Sequence, residues 1–180
     1  AATYPRNDQL ENVRMTDTYK IAIVGGTGDL GSGLAKRWAR AGHEIIIGSR
    51  DAGRAADTAV KFNDDAGTNS ISGLENTDAA EAGDIVVLTV PYENHASTLD
   101  AIKNKVQGKI VIDVTVPLMP PKVRTVQLPE GGSCAKAAQS QLGESVRVVS
   151  AFQNVAAAHL ADLEHDIDCD VLVCGNDPEA

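Results

Sequence analysis

The chain of 180 residues has few cysteines and no excess of positive charge, and each of these features excludes a class of protein. Its three cysteines, Cys134, Cys169 and Cys174, are an odd number without C-x-x-C spacing, which predicts neither a disulfide framework nor a zinc knuckle. The formal net charge of −9 argues against nucleic acid as a partner, because a phosphate backbone requires a basic patch. The cysteine usage fits a reducing, cytoplasmic environment best.

Long apolar runs are also lacking. No stretch approaches the roughly 18 apolar residues that span a bilayer, and the first residues lack the apolar region of a signal peptide. The sequence therefore predicts a soluble protein with no membrane association. Residues 1–18 are polar and of mixed charge, so we expect a flexible N-terminal extension before a single domain over residues 19–180.

Short apolar strands alternate with helical patterns from residue 19 onward. Residues 21–24 form a continuous apolar run, which is typical of a parallel strand covered on both faces, and a glycine-rich loop and an amphipathic helix follow it. Further strands are predicted at 44–48, 70–72, 84–90, 109–114, 146–151 and 170–175, and further helices at 52–62, 77–82, 93–106 and 135–142. This alternation predicts an α/β fold of the Rossmann type, a doubly wound and mostly parallel sheet with helices on both faces.

The loop after the first strand carries a G-x-G-x-x-G string, Gly26-Thr27-Gly28-Asp29-Leu30-Gly31. Between a strand and a helix, this string is typical of a loop that binds a dinucleotide. Gly26 is predicted to permit the turn, Gly28 to let the backbone approach a pyrophosphate, and Gly31 to let helix and strand pack closely. A purely structural turn is the alternative.

The end of the second strand indicates which dinucleotide binds. NAD-specific folds usually place a carboxylate about 20 residues beyond the loop, where this chain has Ser49 and Arg50, with Arg54 one helical turn further on. A guanidinium can bind a 2′-phosphate through two hydrogen bonds, and the hydroxyls of Ser49 and Thr27 can donate to it. NADP is therefore favoured over NAD. The alternative is that both arginines are solvated surface charges, offset in part by Asp51.

Three segments are expected to follow the carboxyl ends of strands, where the ligand crevice of a parallel sheet lies: residues 90–93, 115–118 and 151–154. None of them offers a nucleophile with its base or a metal-binding cluster, so we expect no catalytic side chain. Hydride transfer between two rings held in contact is compatible with such a site. His95 is interpreted as a cap or surface group, Trp38 as core and Cys174 as buried.

Several runs together resemble a known family: IAIVGGTGDLGSGLAKRWARAGHEIIIGSR, VLTVPYE, DVTVPL, VVSAFQN and DVLVCGNDPEA. They are similar to NADPH-dependent reductases of coenzyme F420 over nearly everything from residue 19 onward. The resemblance implies reversible hydride transfer between NADP(H) and the deazaflavin F420. A related loop occurs in the cytoplasmic NADPH domain of membrane metalloreductases. An NADPH reductase of a flavin, quinone or metal chelate, and a non-catalytic NADP-binding module, therefore remain alternatives.

The resemblance also implies roles for individual residues. It places Thr27, Ser49, Arg50 and Arg54 on the 2′-phosphate, and the Val90-Pro91 turn beside the nicotinamide. It places six further residues at the border of the deazaflavin: Val116, Pro117, Leu118, Ala151, Gln153 and Asn154. Two departures stand out. Some family members have a histidine at the position of Gln153, and the C-terminal helical segment that helps form the family's dimer and deazaflavin pocket is not in this sequence. A homodimer and the deazaflavin are the implied partners.

Overall fold

The computed structural model describes residues 17–180. The N-terminal extension predicted over residues 1–18 lies outside this range except for its last two residues, which are exposed and irregular. No helix in the described range is long and apolar enough to cross a membrane.

A seven-stranded sheet forms the centre of the described structure, in the order β3-β2-β1-β4-β5-β6-β7. The first six strands pair in parallel, and β7 runs antiparallel at the edge beside β6. The strand bounds are β1 (Lys20–Val24), β2 (Glu44–Ser49), β3 (Ile71–Glu75), β4 (Ile85–Leu88), β5 (Ile110–Asp113), β6 (Arg147–Ser150) and β7 (Cys174–Gly175). The order reverses between β1 and β4, which is the switch point of a Rossmann sheet, so the predicted fold class is confirmed.

Helices cover both faces of this sheet and close one apolar core on each side. The helix bounds are α1 (Asp29–Arg40), α2 (Ala52–Ala66), α3 (Asn76–Ala82), α4 (His95–Ile102), α5 (Cys134–Leu142) and α6 (Ala157–Ala161). Helices α3, α4 and α5 bury residues such as Ala79, Leu99 and Leu142 in the first core. Helices α1, α2 and α6 bury Leu34, Phe62 and Leu160 in the second. Buried strands between two helical layers explain the continuous apolar runs of the sequence.

The structure differs from the predicted elements in three places. The helix predicted at 93–106 is split, because short 3₁₀ turns at Tyr92–Asn94 and Lys103–Lys105 flank α4. The strand predicted at 170–175 shrinks to Cys174–Gly175, since an edge strand with one partner leaves apolar residues 171–173 exposed. The five-residue helix α6 was not predicted, because it has no side-chain cap.

Two interpretations of single side chains change accordingly. Cys174 is exposed, so its predicted burial is wrong. Trp38 is half-buried at the margin of the second core, where its ring meets Phe152 edge-on at 5.7 Å between centroids. The prediction that it packs in the core therefore holds for one side of the indole.

Candidate active site

The glycine loop makes its turn one residue earlier than predicted. Gly25, not Gly26, adopts the left-handed backbone, with φ of +77°. Gly26 is needed for another reason: a Cβ there would lie 2.7 Å from the carbonyl oxygen of Ile23 and 3.1 Å from the side chain of Ile47. The loop therefore lies flat against the ends of β1 and β2, and any side chain at Gly26 would lift it off.

The structure confirms the packing role predicted for Gly31, and the pyrophosphate contact of Gly28 remains a prediction. A Cβ on Gly31 would lie 2.8 Å from the Cα of Gly26, so this glycine lets α1 pack closely against the loop. A Cβ on Gly28 would meet nothing nearer than the carbonyl oxygen of Gly25, at 3.7 Å, so one side of Gly28 is open. Gly28 is also the N-cap of α1, and no side chain caps that helix. The first amides of α1 are thus free to bind an anion.

A cleft of about 890 Å³ runs over this loop and across the carboxyl ends of the central strands. Its volume lies within the range of small-molecule sites. Ten of the residues predicted for the site line it: Thr27, Gly28, Asp29, Leu30, Ser49, Arg50, Arg54, Val90, Pro91 and Val116. The structure therefore brings the glycine loop, the end of β2 and the turns after β4 and β5 to one continuous surface.

The end of the cleft beside β2 carries positive charge. Arg50 and Arg54 are exposed, and neither forms an ion pair with any residue of the described range. The carboxylate of Asp51 accepts a hydrogen bond from the Arg54 backbone N–H at 2.9 Å and so caps α2. The buried hydroxyl of Ser49 accepts from the Asp51 N–H at 3.3 Å, which leaves its own proton free to donate. Asp51 thus acts as a helix cap and forms no salt bridge with either arginine.

Two polar residues of the cleft escaped sequence reasoning. Asn76, at the start of α3, is buried, and its Oδ1 accepts from the Gly25 N–H at 3.2 Å. Thr89 follows β4, and its hydroxyl donates to the Val24 carbonyl at 2.9 Å. These hydrogen bonds fix the glycine loop and the end of β1 to the segments after β3 and β4. A polar residue ending the apolar run of β4 was a usable signal for Thr89, whereas nothing local points to Asn76.

The opposite end of the cleft is formed by the turns after β4 and β5. Val90 packs directly on the glycine loop, since a Cβ on Gly25 would lie 2.7 Å from its Cγ1. Pro91 and Tyr92 continue this wall, and Val114 to Val116 form the facing one. We call this part of the cleft, between residues 90–92 and 114–116, the ring end, and the part beside β2 the phosphate end.

Six of the predicted residues lie outside the cleft lining: Gly26, which packs beneath the glycine loop, and five residues behind the ring end or beside it. Ala151 is buried, the Gln153 amide donates to the Asp113 carbonyl at 2.7 Å, and the Asn154 amide donates to the Asp170 carbonyl at 2.7 Å. Pro117 and Leu118 begin the irregular loop after β5, where Leu118 bridges to Val126. The predicted place of these five residues at the border of a second ligand remains a prediction.

The interpretation of His95 as a surface or capping group is wrong. Its ring is buried, with 3% of the residue exposed, and Nε2 lies 2.8 Å from Oδ2 of the fully buried Asp113. Cys134 lies in the same region, where burial first and the nearby Asp113 carboxylate second raise the pKa of its thiol to about 11. A thiol with that pKa is a poor nucleophile near neutral pH, so the structure adds no covalent chemistry to the site.

These features define a dinucleotide-binding protein of the Rossmann class: the strand order, the glycine loop at the switch point, and a cleft with two arginines at one end. The comparisons with known proteins narrow this class. A family model described as NADP oxidoreductase, coenzyme F420-dependent, matches residues 20–117, which is more than half of the chain. The F420-dependent NADP reductase of Methanocaldococcus jannaschii is 48% identical over 168 residues, covering 89% of this chain and 74% of that protein. The chain belongs to this family of F420-dependent NADP oxidoreductases, as its sequence motifs predicted.

Two more distant similarities agree with the fold. A crystal structure of a putative F420-dependent NADP reductase from Arthrobacter sp. FB24 superposes with a TM-score of 0.73 at 23% identity, covering 91% of this chain and 76% of that one. Metalloreductase STEAP3 of Rattus norvegicus is 27% identical over 89% of this chain but only 30% of its own length. At this identity, the Arthrobacter structure supports the Rossmann fold alone.

Proposed function

We propose that this chain transfers hydride between NADP(H) and the deazaflavin ring of coenzyme F420 within the single cleft described above. The NADP assignment rests on Arg50 and Arg54, which lie beside Ser49 at the end of β2 and form no ion pair within residues 17–180. An NAD site would have a carboxylate at this place. The family supplies the identity of the second substrate.

The residues present fit the cofactor at the phosphate end. The open side of Gly28 leaves space for a pyrophosphate against the free amides at Asp29 and Leu30. The 2′-phosphate would take hydrogen bonds from Thr27, Ser49, Arg50 and Arg54, and charge-assisted bonds of this kind are the strong ones. The net charge of −9 does not oppose this, because the positive field is local to the helix end and two guanidinium groups.

The ring end orients the reactants. Bound NADPH supplies a hydride, and the deazaflavin accepts it, so the chain itself needs to contribute geometry and not a reacting group. Val90 and Pro91 would flank the nicotinamide. The second ring would be bordered by residues of the turns after β5 and β6: Val116, Pro117, Leu118, Ala151, Gln153 and Asn154. Apolar side chains there exclude water from the transfer.

The purified chain mixed with NADPH and F420 tests this proposal through the absorbance of the oxidised deazaflavin. We expect the absorbance to fall only when protein and NADPH are both present, and far more slowly with NADH. Unchanged absorbance would contradict the proposal. Oxidation of NADPH by a ferric chelate instead would support a metalloreductase, and tight NADPH binding without oxidation by any acceptor would indicate a binding module.

We further propose that residues 19–180 act as one NADP-binding domain and pair with a second copy. The apolar residues 171–173 are 41% to 64% exposed next to the edge strand β7, and a second copy would bury them. Light scattering should then give twice the mass of the 18.8 kDa chain, and a monomeric mass at micromolar concentration would contradict the dimer. A cytoplasmic location is proposed from the three free thiols.

A further inference from the structure

The two walls of the ring end and the segment behind them meet at Asp113, the walls through its buried carboxylate and the segment after β6 through its backbone carbonyl. We infer that Asp113, together with His95, is a positioning residue that fixes the spacing of the ring end. This inference rests on the proposed hydride transfer. Neither side chain lines the cleft, so their effect would pass through the segments they hold.

Asp113 is the last residue of β5 and has no exposed surface. Its Oδ1 accepts from the Thr115 backbone N–H at 2.9 Å, which shapes the turn that forms one wall of the ring end. Its backbone carbonyl accepts from the Gln153 amide at 2.7 Å, which attaches the segment after β6. Two segments separated by almost 40 residues thus depend on one position.

The third attachment runs through His95. This residue begins α4 directly after the 3₁₀ turn Tyr92–Asn94, which lines the cleft. Its ring packs against the ring of Tyr92, with centroids 6.2 Å apart, while Nε2 lies 2.8 Å from Asp113 Oδ2. With Asp113 Oδ2 as the acceptor of this hydrogen bond, His95 donates through Nε2. The wall after β4 is therefore tied to the wall after β5.

The neighbouring side chains offer little other support for this arrangement. The Thr115 hydroxyl is buried and makes no hydrogen bond to any residue of the described range, so Thr115 itself is held through the hydrogen bond of its N–H to Asp113. A buried ionic or polar pair stabilises a fold no better than apolar packing of the same volume. Such a network fixes the positions of the segments it joins. These positions matter because hydride transfer is sensitive to displacements of about 1 Å.

Substitution of Asp113 separates position from charge. Asp113→Ala removes the acceptor of the Thr115 N–H and the partner of His95, and we expect kcat to fall by about 10- to 100-fold. Binding of NADPH should change by less than about threefold, because the phosphate end is untouched. Asp113→Asn keeps Oδ1 as acceptor, and its amide can donate to His95 Nε2 in the other ring tautomer. It should restore most of kcat.

A matched pair of histidine variants provides the structural control. His43 is 4% exposed, much like His95, but it accepts a hydrogen bond from the Tyr19 N–H at the opposite, amino-terminal edge of the sheet. We expect His43→Leu and His95→Leu, which remove the donor and acceptor of each ring, to lower Tm alike, and only His95→Leu to lower kcat at saturating NADPH. Equal kcat values for the two variants would overturn the inference.

A readout without the acceptor distinguishes this inference from the proposed function. The fluorescence of bound NADPH reports the surroundings of the nicotinamide ring, and we expect Asp113→Ala to alter it at saturation while affinity is retained. Wild-type protein that transfers no hydride would overturn the proposed function and leave this fluorescence test standing. Wild-type fluorescence and kcat in a folded Asp113→Ala variant, or equal losses of kcat in Asp113→Ala and Asp113→Asn, would overturn the positioning role. If Asp113→Ala does not fold, the histidine pair decides.

Discussion

The two ends of the cleft are built in different ways. The phosphate end comes from a single stretch, residues 25–54, in which one βα unit and the start of the next supply glycines, amides and cations. The ring end is assembled from residues 90–92 and 114–116, with the segment 151–154 attached beside them, and these segments are far apart in the chain. A ligand site can thus combine a part encoded locally with a part that exists only after the sheet has formed.

The difference extends to what holds each end in place. At the phosphate end, the exposed guanidinium groups form no ion pair with the described residues, and the glycine backbone leaves space for a ligand. At the ring end, a buried carboxylate accepts hydrogen bonds from the neighbouring segments. We therefore expect substitutions at the phosphate end to change affinity and substitutions around Asp113 to change turnover.

The largest expected effect at the phosphate end is on cofactor choice. In the double variant Arg50→Ala and Arg54→Ala, the Kd for NADPH should rise by about 100-fold, since each charge-assisted hydrogen bond contributes roughly 1.5–3 kcal/mol. The Kd for NADH, which lacks the 2′-phosphate, should change by less than about threefold. Isothermal titration of both nucleotides measures this. Lys61→Ala is the control, since Lys61 is exposed further along α2 and forms no ion pair with the described residues. Equal losses of affinity for NADPH and NADH would show that the arginines do not bind the 2′-phosphate.

A smaller effect should follow from closing the open side of Gly28. In Gly28→Ala the new methyl group meets no protein atom nearer than 3.7 Å, so the chain should fold with a loss of at most about 1 kcal/mol. Affinity for NADPH and NADH should fall together, by about tenfold, because the pyrophosphate loses its approach to the backbone.

The matched glycine is Gly42, which has φ of +98°, and a Cβ added there would meet no atom of the described residues within 4 Å. Gly42→Ala should cost about 1–2 kcal/mol of stability through its left-handed backbone and leave affinity unchanged. Titration beside thermal unfolding compares the two variants. Wild-type affinity of Gly28→Ala for both nucleotides would contradict the role of Gly28 in pyrophosphate binding.

The smallest effect tests the hydrogen bond between Asn76 and the glycine loop. Asn76→Ala leaves the Gly25 N–H without its acceptor, which should destabilise the fold by about 1–3 kcal/mol and weaken NADPH binding several-fold. Asn76→Asp retains an acceptor oxygen and should recover most of the stability. If Asn76→Ala matches the wild type in Tm and Kd, the hydrogen bond from Gly25 to Asn76 does not hold the loop in place.

This contrast explains how much could be predicted from the sequence. Gly28, Gly31, Ser49 and Arg50 were found because backbone geometry and charge at fixed offsets require those residue types. Short continuous apolar runs predicted the six parallel strands to within a few residues, since buried strands must be apolar on both faces.

The rest depended on tertiary contacts. Asp113 follows an apolar strand and gave no sign of its partner, which lies 18 positions earlier at the start of a helix. His95 was misread for the same reason, because a histidine that begins a helix is usually a surface group. Residues 171–173 look like a buried strand, yet at the sheet edge only Cys174 and Gly175 pair with β6. Sequence periodicity does not distinguish an edge from a centre.

The central claim is direct hydride transfer from NADPH to the deazaflavin across the ring end. NADPH carrying deuterium at the transferring position of the nicotinamide tests it most directly, with mass spectrometry of the reduced F420. We predict that the deuterium appears in the deazaflavin ring, and that the Asp113→Ala variant transfers the same label more slowly. Reduced F420 without deuterium, or label released to water, would contradict the account.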